Sequence, residues 1–177
     1  MPERIETSRL LLMRLDREWM ERFAQSPREA AQALEDACAL SHCERLEHPP
    51  SAYLYACSEI ERFPGGEKWL CFWEIIEKET MRRIGGLLFK GPPDEGGDVE
   101  IGYGIDEAFR RKGYGLEAVK AGIKWAFAQG AEGVIAKVNP GNLASQRLLE
   151  RAGMSRYRMI GKMPIYHIQK GAAGGMP

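Results

Sequence analysis

Arg110-Arg111-Lys112-Gly113-Tyr114-Gly115 (RRKGYG) lies between a strand-like run, Val99 to Ile105 (VEIGYGI), and a helical stripe of Leu116, Val119, Ile123, Ala126 and Phe127. A loop that opens a helix leaves the first backbone N–H groups unpaired, and the helix dipole adds about half a positive charge there. Glycines at alternate positions remove Cβ atoms, so the backbone can curl around an anion. Three adjacent cations add charge, and the whole suits a diphosphate. A solvated basic turn before a surface helix has the same composition, so the loop by itself leaves both readings open. The chain contains neither G-x-x-x-x-G-K-[ST] nor a helix-opening G-x-G-x-x-G.

In the preceding run, Val99, Ile101, Tyr103 and Ile105 share one strand face, and Glu100, Gly102 and Gly104 share the other. Glycine weakens a strand unless something must come close to it. Gly102 and Gly104 leave a flat strip leading to the loop, along which a long narrow ligand could lie with its phosphates at the helix. Tight packing or a bulge is the other use of such glycines.

Outward from this core the pattern gives a strand over Arg9 to Leu15, then Asp16 as an N-cap before Trp19, Met20 and Phe23. Ser26-Pro27-Arg28-Glu29 is a capping-box pattern for a second helix toward Ser41. Pro49-Pro50-Ser51 starts a third, with Tyr53, Ala56, Cys57, Ile60 and Phe63 on one face and Pro64-Gly65-Gly66 at its end. Lys68 to Glu77 (KWLCFWEIIE) reads as a central strand, and Arg83 to Lys90 as its antiparallel neighbour across a turn at Glu79-Thr80. After the Gly91 to Gly97 loop and the strand–loop–helix unit come a strand over Gly133 to Asn139 and a helix over Asn142 to Ala152, stopped by Gly153. Two late strands, Met154 to Ile160 and Met163 to Gln169, flank Gly161-Lys162. The expected fold is an α/β domain over residues 1–170, with a disordered tail over 171–177.

The 177 residues suffice for one domain with a hydrophobic core. The 25 Lys and Arg balance the 25 Asp and Glu, which argues against nucleic acid as the main partner. No apolar run reaches the roughly 20 residues of a membrane helix, and the N-terminus lacks a signal peptide's apolar segment. The expected location is the cytoplasm, with Cys38, Cys43, Cys57 and Cys71 reduced. Cys38, His42, Cys43 and His48 cluster in sequence, but their spacing fits no common zinc pattern, so no metal is expected.

The residues at 110–115 resemble the Arg/Gln-x-x-Gly-x-Gly/Ala signature of the GNAT N-acetyltransferases. Glu6-Thr7-Ser8-Arg9-Leu10-Leu11-Leu12 and Val99-Glu100-Ile101-Gly102-Tyr103 look like two strands of the branch that acetylates ribosomal-protein N-termini, the RimJ/RimL-like branch. Asn142-Leu143-Ala144-Ser145, then Leu149-Glu150-Arg151-Ala152-Gly153-Met154, look like its late helix. The resemblance spans nearly the whole chain and is weakest over 35–65. It implies a mixed, mostly antiparallel, splayed sheet of about seven strands flanked by helices. It also implies acetyl-coenzyme A as co-substrate, with no metal. The backbone from Arg110 through Arg111, Lys112, Gly113 and Tyr114 to Gly115 would hold the pyrophosphate. Tyr103, Gly104 and Ile105 would pair with the pantetheine arm, and Asn142 and Ser145 would meet it near the thioester.

Acetyl transfer to an amine needs a base to free the lone pair, a donor for the tetrahedral oxyanion and a proton for the leaving thiolate. Glu100, on the glycine-bearing face, is the candidate base through a water, and a solvent-facing edge carboxylate is its plainer role. Ser145 is the candidate proton donor, with ordinary first-turn bonding to Asn142 as its alternative. Many relatives carry a Tyr acid where this chain has Leu149. That departure leaves open a coenzyme A-binding module with weak or no catalysis; a phosphate- or nucleotide-binding domain is a second alternative. The acceptor is an amine, from a protein N-terminus or a small molecule. Acceptor choice in such relatives rests on the segment corresponding to about 16–66, where Glu35, Asp36, Glu44, Glu47, Glu59 and Glu61 could face a cation or simply solvent. Late strands often make dimers in this family, so a homodimer is one open arrangement.

Overall fold

The computed structural model describes residues 3–40 and 50–171. Its elements are β1 (Arg4–Glu6), β2 (Leu10–Leu15), α1 (Arg17–Gln25), α2 (Pro27–Cys38), α3 (Pro50–Arg62), β3 (Phe72–Glu77), β4 (Arg82–Phe89), β5 (Asp98–Ile105), α4 (Tyr114–Ala128), β6 (Gly133–Lys137), α5 (Leu143–Arg151), β7 (Ser155–Ile160) and β8 (Met163–Gln169). They build one mixed sheet of eight strands in the order β1-β2-β3-β4-β5-β6-β8-β7. Every neighbouring pair is antiparallel except β5 and β6.

Alternation along the strands gives the sheet two apolar faces, and each is covered by helices. One face packs Trp73, Ile75, Leu87, Ile101 and Val134 against Val119 and Ile123 of α4 and Leu149 of α5. The other packs Leu11, Met13, Phe72 and Ile76 against Met20 and Phe23 of α1, Leu34 of α2 and Tyr53 of α3. Each such fully buried side chain contributes about 1.5–3 kcal/mol by leaving water. Lys68 and the aromatic groups Trp69, Trp73, Phe89 and Trp125 anchor the end of α4 far from its N-terminus; ring centroids in this group lie 5.1–5.7 Å apart.

The expected boundaries hold at most ends and shift for physical reasons at others. Asp16 caps α1, its Oδ1 accepting from Trp19 N–H at 3.1 Å. Gly153, at φ 89°, follows the C-cap Ala152 and ends α5. Ser26 makes no side-chain cap bond, so Pro27 alone starts α2. That helix stops at Cys38, before Ser41, because Ala39 is left-handed at φ 52°. Residues 67–69 form a 3-10 turn rather than strand, with Cys71 Sγ donating to the Lys68 carbonyl, so the central strand begins at Phe72. The strand beyond the expected seven is β1, three residues whose register runs from Arg4↔Met13 to Glu6↔Leu11.

Cys38 is buried under α2, whereas His42, Cys43 and His48, with Glu44 and Glu47, lie outside the described residues, as does the tail from 172. Among the described residues no three His, Cys, Asp or Glu side chains gather as a metal site, and no helix is long and apolar enough to cross a membrane.

Candidate active site

The sheet opens beside β5. Its first residues, Asp98–Glu100, pair in parallel with Gly133, Val134 and Ile135 of β6, whereas Ile101–Ile105 pair with β4. Two bonds fix which way the β5 backbone faces: Lys90 N–H donates to the Glu100 carbonyl at 3.0 Å, and Asp106 N–H to the Ile84 carbonyl at 2.9 Å. In an antiparallel ladder the same parity follows in between, so Glu100, Gly102 and Gly104 turn their backbone to β4. Ile101, Tyr103 and Ile105 turn theirs to the opposite edge, into the opening. The Ile105 carbonyl accepts from Arg110 Nε at 2.8 Å, which leaves the peptide groups of Tyr103 in the middle of the free edge.

At the end of β5 the loop turns into α4. Arg111 and Gly113 are both left-handed, at φ 62° and 85°. Such alternation turns successive N–H groups toward one side, as an anion nest requires. Gly113 is the N-cap of α4 and has no side chain to satisfy the first-turn N–H groups. The two glycines of the loop differ in purpose. A Cβ on Gly113 would meet Arg9 Nη2 at 3.2 Å, while one on Gly115 would strike Leu148 Cδ1 of α5 at 2.9 Å. Gly113 thus allows a left-handed turn packed beside Arg9, and Gly115 lets α5 sit close to α4. The side chains of two of the cations diverge: Arg110 turns back to β5, and Lys112 Nζ lies 5.3 Å from the Phe109 ring centroid. Tyr114 is buried, and its hydroxyl donates to Glu77 of β3. This cradle and the free edge of Tyr103 fit a ligand with a diphosphate head and a thin amide-bearing arm.

Across the opening, Tyr103 Oη and Ser145 Oγ lie 2.7 Å apart, joining β5 to the first turn of α5. Burial raises the pKa of the Tyr103 phenol more than its bond to Ser145 lowers it, so it stays protonated at neutral pH. Asn142 caps α5, its Oδ1 accepting from Ser145 N–H at 3.0 Å. Glu100 stands on the opposite face of β5 from this pair, at the last residue joined to β6. Its Oε1 meets Lys90 Nζ at 2.5 Å and its Oε2 meets Lys137 Nζ at 2.6 Å. Burial alone would raise its pKa, but the two lysines outweigh it and hold the carboxyl below the usual range. Leu149 is fully buried in the core.

The sequence reading brought Tyr103, Gly104, Ile105, the 110–115 loop, Asn142 and Ser145 to one region, and the fold does so too. It missed Lys90 and Lys137, which have no motif and meet Glu100 only through strand pairing. Of the acidic residues at 16–66, Glu59 pairs with Arg62 and Glu61 with Arg17.

The family profile described as acetyltransferase (GNAT) domain matches residues 6–155. The chain belongs to the GNAT acetyltransferases. It is 31% identical over 153 residues to an uncharacterized N-acetyltransferase, YjdG, of Bacillus subtilis (strain 168), covering 84% of this chain and 88% of that one. The fold is shared with a ribosomal-protein-S5-alanine acetyltransferase from Vibrio fischeri at TM-score 0.61 and 17% identity, over 94% of this chain and 96% of the other. It is also shared with RimL, a ribosomal L7/L12 alpha-N-protein acetyltransferase solved with coenzyme A, at TM-score 0.62 and 15% identity, over 96% and 99% of the two chains. As a GNAT protein this chain is an acyltransferase that uses acetyl-coenzyme A as acetyl donor.

Proposed function

We propose that the acetyl acceptor is the α-amine of a protein N-terminus. The observation that carries this reading is the double lysine pairing of Glu100. A carboxylate held ionised in this way is a weak proton acceptor. An α-amine, with a pKa of about 8, gives up its proton far more readily than a lysine side chain at about 10.4. The likeness in fold to ribosomal-protein acetyltransferases supports the same acceptor class.

The residues divide the work. The N–H groups from Arg111 to Gly115, at the α4 terminus, hold the diphosphate, and the Tyr103 backbone pairs with the pantetheine arm beside Gly104 and Ile105. Acetyl-coenzyme A supplies a thioester whose carbonyl carbon the amine attacks. The N–H of Tyr103 faces the opening and serves as donor to the oxygen that gains charge. Glu100 takes the amine proton through a water. The Tyr103 phenol and Ser145 hydroxyl form a two-member relay that gives a proton to the departing sulfur. Asn142 fixes that relay by capping α5, which presents Ser145. Three buried free thiols, Cys38, Cys57 and Cys71, suit a reducing compartment, and the cytoplasm is the location that goes with this reading.

The test compares three peptides of one sequence: free α-amine with no lysine, blocked α-amine with one lysine, and both blocked. The first is expected to be acetylated with a kcat/KM at least about tenfold above the second, in line with the gap in amine pKa. A preference for the lysine peptide, or for small amines over all peptides, overturns the α-amine reading.

A further inference from the structure

Behind the loop, a set of bonds joins the residues that lead into β2 to α4. Thr7 Oγ1, Ser8 Oγ and the Arg9 N–H donate to Glu117 Oε1 at 2.6, 3.0 and 2.9 Å. Arg9 Nε donates to Glu117 Oε2 at 2.8 Å, and the same guanidinium reaches the Lys112 carbonyl through Nη1 at 3.0 Å. It also lies 4.7 Å from the centroid of the buried Tyr114 ring. Arg9 therefore touches three successive features of the cradle: the Lys112 peptide, the space beside Gly113 and the Tyr114 ring.

The direction of the Lys112 carbonyl matters because a peptide unit is planar and trans. The described residues include no cis bond. The C=O of Lys112 and the N–H of Gly113 belong to one unit and point in opposite directions. Drawing the carbonyl onto Arg9 turns the Gly113 N–H away from Arg9, toward the side where a ligand would lie. Gly113 has the freedom to turn otherwise, and Arg9 removes it.

Charge adds a second effect. Glu117 stands in the first turn of α4, where a bare carboxylate would oppose an incoming diphosphate. Burial raises its pKa, but the bonds from Thr7, Ser8 and Arg9 outweigh this and keep it ionised. Arg9 supplies the countercharge.

We propose that Arg9 is a positioning residue for the diphosphate: it sets the Lys112–Gly113 peptide so that the loop N–H faces the ligand, and it cancels the charge of Glu117. This rests on the assignment of residues 110–115 as the diphosphate site.

The experiment is calorimetric titration of wild type, Arg9→Met and Arg9→Lys with coenzyme A, dephospho-coenzyme A and pantetheine. Dephospho-coenzyme A keeps the diphosphate, and pantetheine lacks it. Arg9→Met is expected to weaken both diphosphate ligands by about tenfold or more, the scale of one charge-assisted bond. Its pantetheine affinity should stay within about twofold of wild type. Arg9→Lys keeps a charge beside Glu117 but lacks the fork that also reaches Lys112, and should lose part of the same selectivity. Equal losses on all three ligands would mean that Arg9 only supports the fold, and no loss would mean that it does nothing for the ligand; either result overturns the proposal. Wild type that binds coenzyme A no better than pantetheine overturns the loop assignment itself. If Arg9→Met fails to fold by circular dichroism, Arg9→Lys decides by the same criteria.

Discussion

Both oxygens of Glu100 are engaged by lysines, and this limits what the residue can do as a base. Its folded pKa lies below the ordinary carboxylate value of about 4.3, so it is ionised across the neutral range. The fall in rate on going from pH 8 to pH 6 should then report protonation of the amine, not of Glu100. Glu100→Gln is expected to lower kcat by about a hundredfold, the lower end of general-base effects, with acetyl-coenzyme A affinity almost unchanged. Full activity of the variant at every pH would remove Glu100 from the mechanism. On the acid side, Leu149 faces the core and has no proton to give, while Tyr103 reaches Ser145 from the opposite wall. Tyr103→Phe and Ser145→Ala should each lower kcat, and the double variant should be little worse than either, because one relay is lost in all three. Rate losses that multiply would show two independent roles.

At the scale of elements, the loop and the helix it opens have separate demands. Gly113→Glu strains a left-handed residue and sets a carboxylate beside Arg9 Nη2, which distorts and charges the cradle while leaving α4 room to pack. It should fold and lose the thermal shift that acetyl-coenzyme A gives wild type, which at about 100 times the dissociation constant is roughly 2.7 kcal/mol. Gly115→Val instead presses α4 on Leu148, an overpacking that costs about 1–3 kcal/mol, or several degrees at roughly 2–4 °C per kcal/mol. A normal melting temperature for Gly115→Val would show that α5 can move aside. The order of elements was readable because Asp16, Gly153 and the 2- and 3.6-residue periods are local signals. So was the loop that opens α4, since Gly113 and its cations adjoin in sequence. The edge strand β1 was not, because Arg4–Glu6 is too short to show a period and is defined by its partner. Nor were the Lys90–Glu100–Lys137 triplet and the Arg9–Glu117 pair, 108 residues apart, which exist only once strands and α4 are assembled.

For the molecule as a whole, three carboxylates tie distant parts together: Glu77 beneath Tyr114, Glu100 at the β5–β6 junction and Glu117 behind the loop. All three have folded pKa values below their usual range. Groups lowered in this way hold fewer protons folded than unfolded, so their contribution is present above about 4.3 and is lost as pH falls through the folded values. The urea midpoint should therefore drop between pH 7 and pH 3.5, and drop less in Glu117→Gln, which starts lower. A parallel decline in the two proteins would locate the acid sensitivity elsewhere.

The open edge of β5 has a further consequence. An unpaired strand is a template on which another extended chain can add, and it is where aggregates begin. Here the Tyr103–Ser145 bond spans the opening on one face of the sheet. A peptide strand carries side chains on both faces at every second residue and would have to break that bond to enter. A chain without side chains would not. The bridge proposed above as the proton relay would by the same contact guard the sheet against polypeptide, so that an edge can stay exposed between turnovers without recruiting its neighbours to it.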